Sequence, residues 1–91
     1  MKNAVRVTIR ANQYEGDFDL PSSVKLNELY PRVSQALKQD APSTFRGYTS
    51  VVFELDGCGL LNGEATLLDY GVRTGDYLDV VRKEKYDGFK R

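Results

Sequence analysis

Residues 66–81, with the sequence TLLDYGVRTGDYLDVV, decide the fold of this 91-residue chain. In the first half, the Thr66 hydroxyl can cap a single helical turn that runs from Leu67 to Tyr70. Residues 74–76 then have turn chemistry. After them Leu78 and Val80 alternate with outward-facing positions, which predicts a strand with one buried face. A helical turn, a tight turn and a closing strand therefore end the folded part of the chain.

The residues upstream predict four more strands. Apolar and polar residues alternate over residues 5–10 and 17–20, the period of two that marks half-buried strands. Residues 12–16 supply a polar turn between them, in which Gly16 can take a positive φ, and Pro21 ends the second strand. Residues 51–55 alternate in the same way. Residues 57–59 then turn the chain into a short fourth strand at residues 60–61.

A single amphipathic helix is predicted over residues 25–39, because Leu26, Leu29, Val33 and Leu37 recur at steps of three and four. Pro31 disturbs this pattern, since a proline inside a helix lacks the N–H donor and clashes with the carbonyl four residues earlier. We therefore expect either an irregular first turn or a late start capped by Asn27, and the sequence leaves both open.

Two strands, a helix, two further strands and a final strand are the element order of the β-grasp. We predict an α+β fold: a mixed five-stranded sheet with one main helix packed across one face. The first and last strands should lie parallel at the sheet centre. The predicted core comprises fifteen apolar residues: Val5, Val7, Ile9, Phe18, Leu20, Leu26, Leu29, Val33, Leu37, Phe53, Leu55, Leu61, Leu67, Leu78 and Val80.

Composition argues against several classes of function. Thirteen basic and thirteen acidic residues give no net charge, which disfavours nucleic-acid binding by phosphate neutralisation. No apolar run approaches the ~20 residues needed to cross a bilayer, so we expect no membrane insertion. One cysteine cannot form an internal disulfide, which favours a cytoplasmic protein.

The sequence also predicts no catalytic residue, no metal ligand and no cofactor, and hence a protein that is not an enzyme. The chain has no histidine, which removes Ser-His and Cys-His pairs and the commonest zinc ligand. Cys58 lies between two glycines without an adjacent base, so we interpret it as a turn residue. Asp69 and Tyr70 are interpreted as structural: the carboxylate can accept backbone hydrogen bonds while the ring packs over the loop.

The domain is expected to cover residues 1–83. Residues 84–91 then form a basic C-terminal tail that we expect to be flexible, as chain ends usually are. Its basic residues, with Tyr86 and Phe89 between them, leave weak binding to an acidic partner or a membrane surface as an alternative.

Over residues 4–83 the chain resembles the ubiquitin-like superfamily, through LLDY at 67–70 and GDYL at 75–78. Within it, VRVT at 5–8, NQY at 12–14 and FDL at 18–20 are similar to the YukD/EsaB proteins of bacterial type VII secretion systems. That resemblance implies a cytosolic accessory or regulatory component of the secretion machine. A related domain caps a multi-pass membrane subunit in the actinobacterial version. The resemblance thus implies a protein partner, such as a secretion ATPase or a membrane channel subunit.

Ubiquitin-like proteins act by being conjugated or by being bound. Conjugation needs a C-terminal Gly-Gly, and no Gly-Gly pair occurs anywhere in this sequence. We therefore expect a binding role. The alternative function is a small ubiquitin-like accessory subunit of a multicomponent enzyme, such as a diiron monooxygenase. The sequence leaves the oligomeric state open.

The candidate partner-binding surface is the outer face of the sheet. Ubiquitin is recognised there through an apolar patch. By the resemblance, the positions that correspond to this patch are Glu54, Asp79 and Val81, of which only Val81 keeps an apolar residue. A Glu54 carboxylate buried without a partner against an apolar surface would cost a few kcal/mol. Proteins that bind ubiquitin through its apolar patch should therefore not bind this chain. An ordinary solvated face, with charges paired across strands, is the alternative. The candidate site residues are Arg6, Thr8, Arg10, Glu54, Asp79 and Val81.

Overall fold

The computed structural model describes residues 4–11, 13–48 and 50–82. Within them lie five strands, β1 (Ala4–Ala11), β2 (Tyr14–Pro21), β3 (Val51–Leu55), β4 (Gly59–Leu60) and β5 (Tyr77–Arg82). One helix, α1 (Leu26–Asp40), separates β2 from β3, and a 3₁₀ turn (Leu68–Tyr70) precedes β5. The predicted tail, residues 84–91, lies outside the described residues.

The sheet has the predicted β-grasp topology, with the strand order β2-β1-β5-β3-β4. β1 and β5 are parallel and adjacent, with Ile9 opposite Leu78, and the β1–β2, β3–β4 and β3–β5 pairs are antiparallel. Burial alternates along β1 and β5, so one face of the sheet is covered and the other faces outward. The α+β interpretation with first and last strands at the centre is thereby confirmed.

The core contains most of the predicted residues, and four that the prediction missed. Ala11, Phe45, Val51 and Val72 are buried together with the helix and strand residues. Three predicted core residues are instead only partly buried and pack against its edge: Val5, Phe18 and Leu55. The 3₁₀ turn begins one residue later than predicted and ends at the predicted residue, whereas strand β4 is displaced by one residue from the predicted range.

The helix begins at Leu26, so the late start capped by Asn27 is wrong. The backbone N–H groups of Leu26 and Asn27 donate to the Ala65 and Gly63 carbonyls, both at 2.9 Å. These loop carbonyls satisfy donors that would otherwise need a side-chain cap. The first turn is tightened by a hydrogen bond from the Glu28 N–H to the Lys25 carbonyl at 2.9 Å.

Pro31 is accommodated inside α1. Its missing N–H would have donated to the carbonyl of Asn27, and both residues are exposed. Water can therefore hydrate that carbonyl, which limits the cost of the lost hydrogen bond.

The turn predicted over residues 12–16 is shorter than expected, because Ala11 already pairs with Tyr14. Gly16 lies within β2 opposite Ile9, so its predicted role in the turn is wrong. A Cβ atom at Gly16 would collide with the hydroxyl of Tyr14, whose side chain lies over it. That hydroxyl donates to Asp40 Oδ2 at 2.7 Å and ties the hairpin to the end of the helix.

The 3₁₀ turn is held by a reciprocal cap. The Asp69 N–H donates to Thr66 Oγ1 at 3.1 Å, and the Thr66 N–H donates to Asp69 Oδ2 at 3.0 Å. The Tyr70 hydroxyl accepts from the Asn62 N–H at 2.8 Å. The capping role predicted for Thr66 and the structural roles predicted for Asp69 and Tyr70 agree with these contacts.

Two tyrosines should make stability fall at high pH. Burial raises the pKa of Tyr14 to about 12, aided by its hydrogen bond to Asp40, and burial also raises the pKa of Tyr30 to about 12. Since an unfolded tyrosine has a pKa of about 10, this stabilisation is complete below pH 10 and is lost as the pH rises to about 12.

Urea unfolding between pH 9 and 12 should therefore show a falling free energy, and replacement of Tyr14 or Tyr30 by phenylalanine should flatten the fall. Phenolate absorbance would report the same two groups. Complete ionisation of all tyrosines near pH 10, with the fold intact, would contradict the prediction.

Candidate functional site

The outer face of the sheet brings the six predicted site residues together. Arg6, Thr8 and Arg10 alternate with the buried residues of β1. Asp79 and Val81 do the same on β5, and Glu54 does so on β3. The register makes one cross-strand row of Arg10, Asp79, Glu54 and Leu60, from β1 to β4. We call this row the central row.

Both arginines on β1 are paired within the face. Arg6 makes two hydrogen bonds to Asp19, from Nε to Oδ1 at 2.8 Å and from the guanidinium Nη2 to Oδ2 at 3.1 Å. Arg10 Nε donates to Asp79 Oδ1 at 3.0 Å. The Thr8 hydroxyl also donates to Asp17 Oδ1 at 2.8 Å. The predicted pairing of opposite charges across strands is therefore present in the geometry.

The bidentate contact shifts the titration of both partners in the Arg6–Asp19 pair. Hydrogen bonding to Asp19 raises the pKa of Arg6, and hydrogen bonding from Arg6 lowers the pKa of Asp19. Both side chains are largely exposed, at 64% and 60%, so solvent screens the pair and it contributes little to stability.

Glu54 differs from the other charged residues of the central row. Its neighbours across the sheet are Asp79, which carries the same charge, and the apolar Leu60. Asp79 already accepts from Arg10 on its far side. No ion pair or side-chain hydrogen bond of Glu54 is formed with residues 4–11, 13–48 or 50–82. Among the residues that the structure describes, no cation therefore neutralises the carboxylate of Glu54.

Apolar side chains lie within the central row and beside it, and the sequence prediction omitted three of them. The Tyr77 ring is 48% exposed and lies against Arg10, whose guanidinium carbon is 4.5 Å from the ring centroid. Leu60 is 41% exposed, and Val52 lies opposite Val81. Tyr77 could have been found from its alternation with Leu78. The side of the sheet on which Leu60 lies could not have been predicted, because it depends on how a strand of only two residues pairs.

Cys58 is exposed in the β3–β4 turn between Gly57 and Gly59, whose positive φ values of 87° and 79° the tight turn requires. In the described parts of the chain, no group of three or more His, Cys, Asp or Glu side chains could hold a metal ion. Nor does any described helix have the length and hydropathy needed to span a membrane.

The Glu54 position allows a test of the strand register. Replacing Glu54 with isoleucine should leave the free energy of unfolding unchanged or raise it by up to about 1 kcal/mol. The change removes the repulsion from Asp79 and places a β-branched residue in a strand. Urea denaturation would measure the effect, with Phe53→Ala as the control that removes an inward-facing side chain. A loss of stability comparable with that of Phe53→Ala would contradict the outward assignment.

Comparison with known proteins gives one family match. The family model described as "WXG100 protein secretion system (Wss), protein YukD" matches residues 4–80. No curated protein matches the sequence significantly.

Solved structures with the same fold include domains of type VII secretion proteins. The ubiquitin-like domain of EccD1 from Mycobacterium tuberculosis superposes with a TM-score of 0.70 at 25% identity, covering 86% of this chain and 97% of that one. A protomer of the ESX-3 core complex gives 0.68 at 26% identity, covering 86% of this chain and 16% of that one.

The EccD5 ubiquitin-like domain from Mycobacterium xenopi gives a TM-score of 0.73 at 15% identity, covering 86% and 92%, and supports the fold alone. The fold is thus the ubiquitin-like β-grasp, and the family model covers most of the chain. The chain therefore belongs to the YukD family of the WXG100, or type VII, secretion system.

Proposed function

We propose that this protein is a non-conjugated, cytosolic ubiquitin-like adaptor of a type VII secretion apparatus. It acts by binding a protein partner and has no catalytic role. The family match and the similarity to ubiquitin-like domains of secretion proteins support the assignment to that apparatus. The same family match favours this role over that of a monooxygenase subunit.

The observation that carries the binding role is the carboxylate of Glu54, which has no ion pair or side-chain hydrogen bond with the described residues of the chain. Arg6 and Arg10 are held by Asp19 and Asp79, so they offer a partner less charge than their number suggests. We propose a partner that places a lysine or arginine against Glu54. Apolar side chains of the partner would then cover Tyr77, Leu60 and Val81. In such a contact the charges set specificity more than affinity.

The partner itself we propose to be a secretion ATPase or a membrane channel subunit. The solved ESX-3 complex, in which a domain of this fold is part of the assembly, supports a partner of this class. An adaptor on the cytoplasmic side would need no membrane-spanning segment of its own.

The proposal is tested by affinity purification from native cells, membranes included, with mass spectrometry of the co-purifying proteins. Three tagged forms are compared: the unaltered protein, Glu54→Lys, and Glu28→Lys as the control. Glu28 is exposed in the first turn of α1, away from the outer face, and undergoes the same change of charge. Thermal melts of all three forms exclude unfolding as the cause of any loss.

We expect the unaltered and Glu28→Lys forms to recover a secretion ATPase or channel subunit, and Glu54→Lys to lose it. Recovery of oxygenase subunits, or of no protein above background, would reject the adaptor role. Equal recovery by all three forms would retain the secretion role but reject the outer face as the contact.

A further inference from the structure

The outer face carries a pocket at its end, where β5 begins. Arg10 and Tyr77 of this face line it, together with the exposed turn between β3 and β4. Its inner side is formed by Leu55 and Tyr70, which pack against the core. The pocket has a volume of about 550 Å³, within the range of about 300–1,000 Å³ for ligand sites. A side chain of a partner bound to the outer face can therefore enter it.

Two carboxylates that line the pocket have no basic partner among the described residues. Asp56 is exposed in the β3–β4 turn and forms no ion pair or side-chain hydrogen bond with them. Asp76 Oδ2 accepts from the backbone N–H of Arg73 at 2.8 Å, and this carboxylate has no described ion pair either. Arg10 also lines the pocket, but its Nε donates to Asp79 Oδ1 at 3.0 Å. The pocket thus keeps an excess of negative charge.

An arginine of the chain itself is already held at the edge of the pocket. The guanidinium carbon of Arg10 lies 4.5 Å from the centroid of the Tyr77 ring, while Nε binds Asp79. Tyr77 nevertheless remains 48% exposed, because a guanidinium covers only one face of a ring. Guanidinium groups stack on aromatic rings and pair with carboxylates through several donors, whereas the lysine ammonium is a compact point charge. A tyrosine ring beside two carboxylates without a base therefore matches a second guanidinium.

We propose that this pocket receives an arginine side chain of the protein partner. Its guanidinium lies between Asp56 and Asp76, and its methylene groups pack against Leu55 and Tyr77. The proposal rests on the function proposed above, because it names the partner group that enters the same outer face. Arginine is among the residues that dominate binding energy at interfaces, where such anchors fill well-packed pockets.

The pocket also sets the spacing of basic residues in the partner. Asp56 follows Glu54 by two residues, so their Cα atoms are at most about 7 Å apart. Residues three or four apart on a helix have Cβ atoms about 5–6 Å apart. A partner helix with two basic residues one turn apart therefore places one against Glu54 and its arginine in the pocket.

The first test measures the electrostatic potential in the pocket on the purified protein. Cys58 lines the pocket, is exposed and is the only cysteine of the chain, so thiol reagents report on this place alone. Its reaction rate is measured with two methanethiosulfonates, one carrying a trimethylammonium group and the other a sulfonate. Asp56→Asn keeps the turn preference of the residue and should lower the ratio of the cationic to the anionic rate about two- to fivefold. Glu28→Gln, which neutralises an exposed carboxylate on α1, should leave the ratio unchanged.

The second test identifies the group that the pocket prefers. N-acetylarginine methylamide, its lysine counterpart and its neutral citrulline counterpart are titrated into the ¹⁵N-labelled protein at constant ionic strength. The arginine compound should shift the amides of Leu55, Cys58 and Tyr77 most, the lysine compound less, and the citrulline compound least. Asp56→Asn should weaken the binding of the arginine compound about two- to fivefold, as expected of an exposed ion pair.

The proposal fails if the ratio of thiol rates is the same with and without the Asp56 carboxylate. It also fails if no compound shifts these amides, or if citrulline or lysine shifts them as much as arginine does. Movement of the same amides on deletion of residues 84–91, with no compound added, would assign the pocket to the chain's own tail instead.

Affinity purification separates this proposal from the function on which it rests. Asp56→Asn should recover less of the secretion component than the unaltered protein, and Glu28→Gln should recover the same amount. Equal recovery by all three forms would reject the pocket as an anchor and retain the adaptor role. If the unaltered protein recovers no partner, the adaptor role and the partner's arginine are rejected together, whereas the two tests on purified protein still decide which group the pocket prefers.

Discussion

Replacing Phe45 with alanine is expected to lower the free energy of unfolding by about 3–5 kcal/mol. Phe45 is fully buried although it lies in the connection between α1 and β3. Its ring makes edge-to-face contacts with Tyr14 and Tyr48, with centroid distances of 5.2 and 5.1 Å. Truncation would leave a cavity and remove both contacts.

Urea unfolding followed by circular dichroism would measure the loss, with the slope of the transition confirming that the fold is retained. Arg46→Ala is the control, since Arg46 is the next residue in the chain and is exposed. If the two variants differ by less than about 1 kcal/mol, the connection does not pack as described.

Adjacent leucines in the decisive segment should respond very differently to truncation. Leu67 is fully buried, whereas Leu68 is 61% exposed. Leu67→Ala should cost about 2–5 kcal/mol, and Leu68→Ala less than about 0.5 kcal/mol. Both variants remove the same atoms from neighbouring positions, so differences in residue type cancel.

A thermal melt resolves this contrast, because 1 kcal/mol shifts the melting temperature of a domain of this size by about 4–8 °C. Similar shifts for the two variants would contradict the orientation of the 3₁₀ turn. A larger shift for Leu68→Ala would mean that the turn is displaced by one residue.

The elements that the sequence predicts best are those whose period is set by one buried face. The strands β1, β3 and β5 lie where alternation placed them, because a slip by one residue would turn every apolar side chain to solvent. The reciprocal cap of Thr66 and Asp69 is also a feature that the sequence can indicate, since it depends on two residues three apart.

The errors arose where distant contacts decide the local structure. Helix α1 starts at Leu26 because carbonyls from residues 63 and 65 satisfy its first donors, and no local pattern reveals that. Gly16 belongs to a strand because it pairs with Ile9, and the Tyr14 side chain occupies the space that a Cβ atom there would need. Phe45 has no periodic neighbours, so its burial could be learned only from the packing.

The candidate site was predictable in its membership but not in its electrostatics. Alternation alone placed Arg6, Arg10 and Glu54 on one face. Which acid pairs with which base depends on the strand register, which sets Asp79 between Arg10 and Glu54.

The parallel pairing of β1 with β5 has a consequence for how the chain is made. Arg10 and Asp79 are 69 residues apart in sequence, yet they are hydrogen-bonded neighbours. During synthesis, the hairpin and the helix leave the ribosome long before β5 does. Until β5 arrives, β1 and β3 have no common neighbour, and their inner edges stay unpaired. Such long-range pairing slows folding. The last strand to be translated therefore completes the sheet, and the nascent domain must wait for it with two open edges.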